Sequence, residues 1–327
     1  MSWVGKSVLV TGAGGFIGSH LVERLVSLGA TTKAFVHYRS DGSWGWLDRS
    51  RYKEDIEVLA GDVRDFGSVS SAIANTDVVF HLAALIAIPY SYRSPMSFVE
   101  TNVNGTLNVL QACRLANVQR LVHTSTSEVY GTAQQVPISE SHPLQAQSPY
   151  AASKIAADKL VESFHLSFGL PVVTVRPFNT FGPRQSSRAV TPTIIMQALT
   201  GDTVRLGNLH PTRDLNYVEN IIDGFVRAAL CKDGIGWTVN LGSGVEVSVG
   251  DLAKLIFTLV DAKAVIQVEG HRVRPQGSEV DRLIADNASA KERLDWEPAV
   301  SLEEGLRLTV KWMREHLHKY RPDEYVL

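Results

Sequence analysis

Five side chains in the middle of this 327-residue chain have the equipment for moving protons. Thr126, Ser127 and Glu128 close an apolar run over residues 121–123, and Tyr150 and Lys154 follow after a polar loop. A spacing of four places Tyr150 and Lys154 on one face of a helix, so phenol and ammonium can point into one site. Hydroxyls, a carboxylate, a phenol and an amine are the usual partners in general acid–base catalysis. Each has a plainer reading as well. A Tyr and a Lys four apart occur often by chance, and Glu128 could cap the turn that follows it.

The elements before this stretch say what lies beside it. Residues 6–11 are a short β-rich run that leads into Gly12, Gly15 and Gly18, with Phe16 and Ile17 between the last two. Apolar residues then recur at helical spacing up to Gly29, and residues 32–36 form a second strand. A strand, a glycine loop and a helix N-terminus together make a pyrophosphate cradle. The spacing GxxGxxG differs from the common dehydrogenase fingerprint. No acid follows the second strand to take the adenosine ribose. His37 and Arg39 stand there instead, which leaves NAD and NADP both open. Residues 56–59, 78–82, 120–123 and 172–175 read as further strands. Asp62 and Val63 follow the third at its carboxyl edge, where an Asp can meet the adenine amine. Leu82, Ala83 and Ala84 follow the fourth, and their small side chains admit a cofactor. Long helices are expected over 95–116 and 148–168. Alternating strands and helices argue an α/β fold with a doubly wound parallel sheet of Rossmann type.

Past Asn179 the rhythm breaks at Gly182, Pro183 and Pro192, and shorter helical pieces follow at 193–199, 218–230 and 249–259. A strand over 239–241 and a helix over 302–318 complete the reading. The expected organisation is a dinucleotide-binding Rossmann domain over 1–178, with return segments near 213–244. A smaller, interleaved α/β substrate-binding lobe occupies 179–327.

Composition narrows the classes of partner. With 32 basic and 34 acidic residues and no basic run, nothing invites nucleic acid. No stretch is long and apolar enough for a membrane span, and no signal peptide precedes the first strand. Cys113 and Cys231 lack metal or disulfide spacing and read as reduced thiols of a cytoplasmic protein, and no metal site is expected. Trp44 and Trp46, in the loop after the second strand, could cap an adenosine or serve as packing anchors.

The ordered set GAGGFIG, HLAA, NVNGT, STSEVYG, YAASK, RPFNTFGP, TRDLNYVEN and NLGSG, continued by RPQGSEVDR and LDWEP, resembles the extended short-chain dehydrogenase/reductase superfamily, the epimerase/dehydratase branch acting on nucleotide sugars. The segment from Ser43 to Asp48 and the loop from Gln145 to Pro149 are most similar to NDP-N-acetylglucosamine 4,6-dehydratases of legionaminic-type acid biosynthesis. That resemblance implies a tightly bound NAD, a nucleotide-sugar substrate and a homodimer formed by the two long helices. Tyr150 would be the acid/base at the sugar's 4-hydroxyl, and Thr126 would bond the same oxygen. Lys154 would bind the nicotinamide ribose and lower the phenol from its ordinary value near ~10. Glu128 would act at C5. Asn179, Arg213 and Arg274 would hold the diphosphate. Hexose 4,6-dehydratases carry Thr-Asp-Glu where this chain has Thr126-Ser127-Glu128, and Thr-Ser-Glu also resembles UDP-glucuronate decarboxylases. Ser127 is too weak an acid to replace that Asp, so dehydratase, decarboxylase and 4-epimerase chemistries all stay in view.

Overall fold

The structure is a computed structural model that describes residues 2–320; residue 1 and residues 321–327, the ends of the two expected lobes, lie outside them. The first half contains β1 (Ser7–Thr11), α1 (Phe16–Ser27), β2 (Thr31–His37), β3 (Ile56–Gly61), α2 (Phe66–Ile73), β4 (Val78–His81), α3 (Ile88–Arg93), α4 (Pro95–Phe98), α5 (Gly105–Leu115), β5 (Arg120–Thr124), α6 (Pro149–Phe168) and β6 (Val172–Pro177). Then come β7 (Asn179–Phe181), α7 (Val190–Thr200), β8 (Thr203–Leu206), β9 (Thr212–Tyr217), α8 (Val218–Leu230), β10 (Thr238–Leu241), β11 (Glu246–Ser248), α9 (Val249–Val260), β12 (Val265–Val268), β13 (Arg282–Leu283), α10 (Ala288–Leu294) and α11 (Leu302–Glu315).

Among the described residues, seven strands form one parallel sheet in the order β3-β2-β1-β4-β5-β6-β10. Its inner strands are apolar on both faces, as a sheet covered by helices on both sides requires. The order reverses between β1 and β4, and ligands of such sheets bind at that switch point. Thr11 stitches the crevice there. Its hydroxyl accepts from Leu82 N and Ala83 N, each at 3.1 Å, and meets His81 Nδ1 at 2.9 Å.

The helix expected over 95–116 is interrupted. Between α4 and α5 the backbone widens into a π-helical turn over Val99–Asn104, a feature frequent at functional sites. It carries the buried Asn102, whose amide bonds Leu85 N at 2.8 Å, Leu85 O at 2.9 Å and Ser153 Oγ at 2.9 Å. Helix α6 is capped by Ser148, whose Oγ accepts from Ala151 N at 3.1 Å, and opens with Pro149. It ends at Gly169, whose φ of +68° is left-handed.

Strand β7 emerges from β6 and crosses to a second, small sheet. There β9 is central, with β11 antiparallel and β7 and β13 parallel to it, and β8 pairs β12 apart from these. None of these strands stands out in the sequence, because each is two to six residues long and lacks a clean alternation. The motif LDWEP has a packing role: Trp296 is buried and its Nε1 donates to Asn220 O at 2.9 Å. No described helix is long and apolar enough to cross a membrane.

One buried carboxylate joins these parts. Asp158, on α6, accepts from Ser125 Oγ at 2.7 Å and from Arg176 Nη2 at 3.0 Å, and lies 3.1 Å from His123 Nε2. Arg176 continues to the Tyr130 hydroxyl at 2.9 Å, and that hydroxyl donates to Asn240 Oδ1 at 2.7 Å. Replacing Asp158 by Ala would leave a buried guanidinium without its counter-charge, and such losses cost about 3–5 kcal/mol. Urea denaturation of D158A should show a loss of that size; a change near zero would mean the network carries no stability.

Candidate active site

The cofactor end is built from backbone. Gly12 has φ +69°, and a Cβ there would stand 2.9 Å from Ala83 N, so only glycine lets the β1 loop meet the β4 loop. At Gly18 a Cβ would fall 2.2 Å from Gly12 O, closing the turn. Helix α1 starts at Gly15 with no side-chain cap and no acid in its first turn, so its leading N–H groups face the crevice with the positive end of the helix dipole. That is the donor set a pyrophosphate needs, and Gly12, Gly15, Phe16, Ile17 and Gly18 fit a dinucleotide.

The adenosine end differs from the common pattern. His37 ends β2 with its ring exposed, and Arg39 pairs with Asp41 at 3.0 Å. Asp62, directly after β3, lies 3.9 Å from His37 Nδ1 and is also bound by Arg64 at 2.6 Å. Arg64 holds the Asp62 carboxyl below its ordinary range. Val63 and the Leu82–Ala84 turn line the crevice from β3 and β4. Trp46 has an anchoring role, edge-on to Trp312 of α11 at 5.5 Å, while its backbone N–H donates to Gly14 O at 3.0 Å. Trp44 is covered by Lys53, 4.9 Å from the ring centroid.

At the chemical centre, Thr126 lies two residues past β5 and caps the short 3-10 turn Ser127–Tyr130, accepting from Glu128 N at 3.3 Å. Tyr150 enters from the first turn of α6, buried against Phe98 and Ile88, and hydrogen-bonds Thr126. Burial pushes the phenol well above its ordinary value. The Thr126 bond opposes this, and the Glu128 and Asp158 carboxylates add to it. The depression by Lys154 expected from the sequence is therefore not what the protein's own groups produce. Lys154 is buried, donates from Nζ to Thr124 O at 2.6 Å, and is pulled down to about 8 by burial against the opposing charge of Asp158. Ser127 is buried beside Glu128.

The substrate end brings together residues more than 140 positions apart. Glu128 Oε1 lies 4.0 Å from Arg274 Nη1, on the loop before β13. Arg213, on β9, is buried, and burial lowers its guanidinium from the ordinary value while Glu128 opposes that shift. Asn179 opens β7 with its Oδ1 buried and without a hydrogen-bond partner, and Arg274 Nη1 is likewise unpartnered. Sequence reasoning missed two members of this constellation. Asp158 falls one further helical step beyond Tyr150 and Lys154, and that spacing could have found it. Glu279, 3.8 Å from Arg213 Nη2 and 3.9 Å from Arg274 Nη1, has no local signal.

Lys154 makes a pH prediction. Its folded value of about 8 lies below the unfolded reference near ~10.4, so between those limits the unfolded chain binds the extra proton. Stability contributed at Lys154 then rises with pH across that window. Unfolding free energies measured from pH 7 to 10 should show the unaltered protein gaining on K154M; parallel curves would place the lysine near its ordinary value.

A model of the GDP-mannose 4,6 dehydratase family matches residues 9–309. The chain is similar to a UDP-glucose 4-epimerase of Mycolicibacterium smegmatis, 36% identical over 94% of this chain and 98% of that one. It is also similar to a UDP-N-acetyl-alpha-D-glucosaminuronate decarboxylase of Bacillus cytotoxicus, 32% identical over 95% and 98% of the two chains. Among solved structures it resembles DesIV, the dTDP-glucose 4,6-dehydratase of Streptomyces venezuelae with NAD and TYD bound, at TM-score 0.88 and 29% identity over 97% and 99%. The chain belongs to this family of NAD-dependent nucleotide-sugar dehydratases, decarboxylases and epimerases, built on the short-chain dehydrogenase/reductase fold.

Proposed function

We propose that the protein is a redox-neutral nucleotide-sugar 4,6-dehydratase acting on UDP- or GDP-N-acetylglucosamine with a tightly held NAD. The observation that carries this reading is Glu128, a carboxylate in the same pocket as Tyr150 and the two arginines. A 4-epimerase needs the Tyr–Lys pair alone, whereas elimination needs a second base.

A bound nicotinamide dinucleotide would supply reversible hydride exchange, first with C4 and then with C6 of the sugar. Tyr150 Oη would take the proton of the 4-hydroxyl in its phenolate form while Thr126 bonds the same oxygen. The protein's own groups favour the phenol, so the positive charge of a bound oxidised nicotinamide would have to supply that ionisation. Lys154 binds the ribose and keeps positive charge on the Tyr150 face of α6. With C4 a ketone, the C5 proton becomes acidic because the charge left behind spreads into an enolate, and Glu128 removes it. Ser127 bonds the C6 hydroxyl as it departs as water. The protons held on Tyr150 and Glu128 balance the one this water needs and the one returned to C5. Arg213, Arg274 and Asn179 hold the diphosphate, where bidentate guanidinium geometry suits phosphate oxygens.

A second reading, a UDP-glucuronate decarboxylase, is favoured by Ser127. With no leaving-group acid required, a ketone at C4 would drive off the C6 carboxylate. Incubation with UDP- or GDP-N-acetylglucosamine should yield a product lighter by one water on mass spectrometry. Release of carbon dioxide from UDP-glucuronate alone would replace the dehydratase by the decarboxylase. Glu128→Gln should lower dehydration about 10²-fold or more, and a variant that keeps full turnover with an isomeric product would point to epimerisation. Exposed Leu115 at the end of α5, with Leu166 and Phe168 on the adjacent α6, support a homodimer through these helices. Light scattering should give twice the chain mass, and a monomer would remove that expectation.

A further inference from the structure

Glu279 belongs to none of the roles above, yet it sits at the centre of the charge cluster. Its Oε1 stands 3.8 Å from Arg213 Nη2 and 3.9 Å from Arg274 Nη1, and the same Arg274 nitrogen is 4.0 Å from Glu128. Two guanidiniums and two carboxylates thus alternate in the order Arg213, Glu279, Arg274, Glu128. None of these approaches is a hydrogen bond, and Arg274 Nη1 is buried with its donors unmatched. A carboxylate at this distance balances charge without filling the donor positions.

The backbone carrying Glu279 is held firmly. Its carbonyl accepts from Gln147 Nε2 at 3.0 Å and from Thr132 Oγ1 at 3.4 Å, and Gln147 also reaches Gly277 O at 3.3 Å. Next to it, Ser278 donates to Gln147 O and meets the Tyr92 hydroxyl at 2.5 Å. Glu279 therefore sits on a strap clamped to the loop that leads into Tyr150, with its carboxylate turned to the two arginines.

We infer that Glu279 is an internal stand-in for the substrate's diphosphate, neutralising Arg213 and Arg274 in the free protein and competing with the nucleotide for them. The inference rests on the diphosphate role proposed for these two arginines. A diphosphate brought between them meets the Glu279 carboxylate at close range, and like charges in a partly desolvated site are costly. Holding the arginines through ion pairs that lack hydrogen bonds contributes little by comparison. The repulsion is the larger effect, so Glu279 weakens nucleotide binding. The same carboxylate re-neutralises the arginines when the nucleotide departs, which favours product release.

The test is calorimetric titration of the full-length protein with UDP and with GDP, using uridine as the uncharged control. E279Q keeps the shape and removes the charge. It should bind the preferred nucleoside diphosphate on the order of tenfold more tightly and uridine unchanged. KM should fall with the binding constant, and kcat should fall when release limits turnover. Without nucleotide, Arg213 and Arg274 keep only the Glu128 and Asp281 carboxylates to balance them, so E279Q alone should melt earlier and gain more from UDP than the unaltered protein does. Where E279Q fails to fold, Glu279→Asp withdraws the charge by one methylene and should tighten binding by a smaller factor. Binding unchanged or weakened in these variants overturns the inference alone. If neither nucleoside diphosphate binds, or R213A and R274A bind it as well as the unaltered protein, the diphosphate reading falls and this inference with it.

Discussion

Asp158 is the interaction on which the site's geometry depends. A buried carboxylate is tolerable only when paired and hydrogen-bonded on all sides, and here the pairing joins three elements. Ser125 and His123 belong to or follow β5, Arg176 belongs to β6, and Asp158 itself rides on α6. Satisfying it fixes the strand end that presents Thr126, Ser127 and Glu128 against the helix that presents Tyr150 and Lys154. These side chains then converge without any of them having to bond another strongly. Asp158 is held down to about 2 despite its burial, with the His123 hydrogen bond and the neighbouring cations opposing desolvation, so the anchor stays charged at neutral pH.

A second constraint is steric and sits at the opposite end of the crevice. The glycine loop packs against the chain on both sides: Gly12 against Ala83, and Gly14 against Trp44 O, where a Cβ would approach to 2.5 Å. The loop after β2 is in turn fastened to α11 through Trp46 and Trp312. Arg184 ties α1 to the segment after β7 by a bidentate pair with Glu23 at 3.0 Å and a bond to Ser19 Oγ at 3.1 Å. The glycine loop and the segment after β7 are therefore braced as one body.

Charge is distributed unevenly between the two ends. The cofactor crevice offers backbone N–H groups and a helix dipole, while the substrate end offers two full guanidiniums moderated by two carboxylates. The reacting groups lie between them in a nearly dry pocket. Burial there raises the Tyr150 phenol and lowers the Lys154 ammonium together, so each is moved away from its charged form. A proton moved between such groups would be shielded from competition by bulk water.

Much of this was legible in the order of residues. The strand, glycine loop and helix at the start are local, since backbone freedom and helix capping act over a few positions. The Tyr150–Lys154 spacing is local for the same reason, and Asp158 extends it by one more step. Five central strands declared themselves as apolar runs because a parallel sheet buries both faces. The small sheet around β9 did not: its strands are short, half-polar, and paired across 30 to 70 residues. Arg213 and Glu128 could be joined to the Arg274–Glu279 stretch only in the folded chain, because ion pairs between residues some 65 to 150 positions apart leave no periodic trace. The sequence by itself thus determined the dinucleotide fold and the placing of Tyr150 and Lys154 on one helix face. The tertiary structure alone decided which charges surround Glu128, because a Coulombic neighbourhood depends on distance in space and not on distance along the chain.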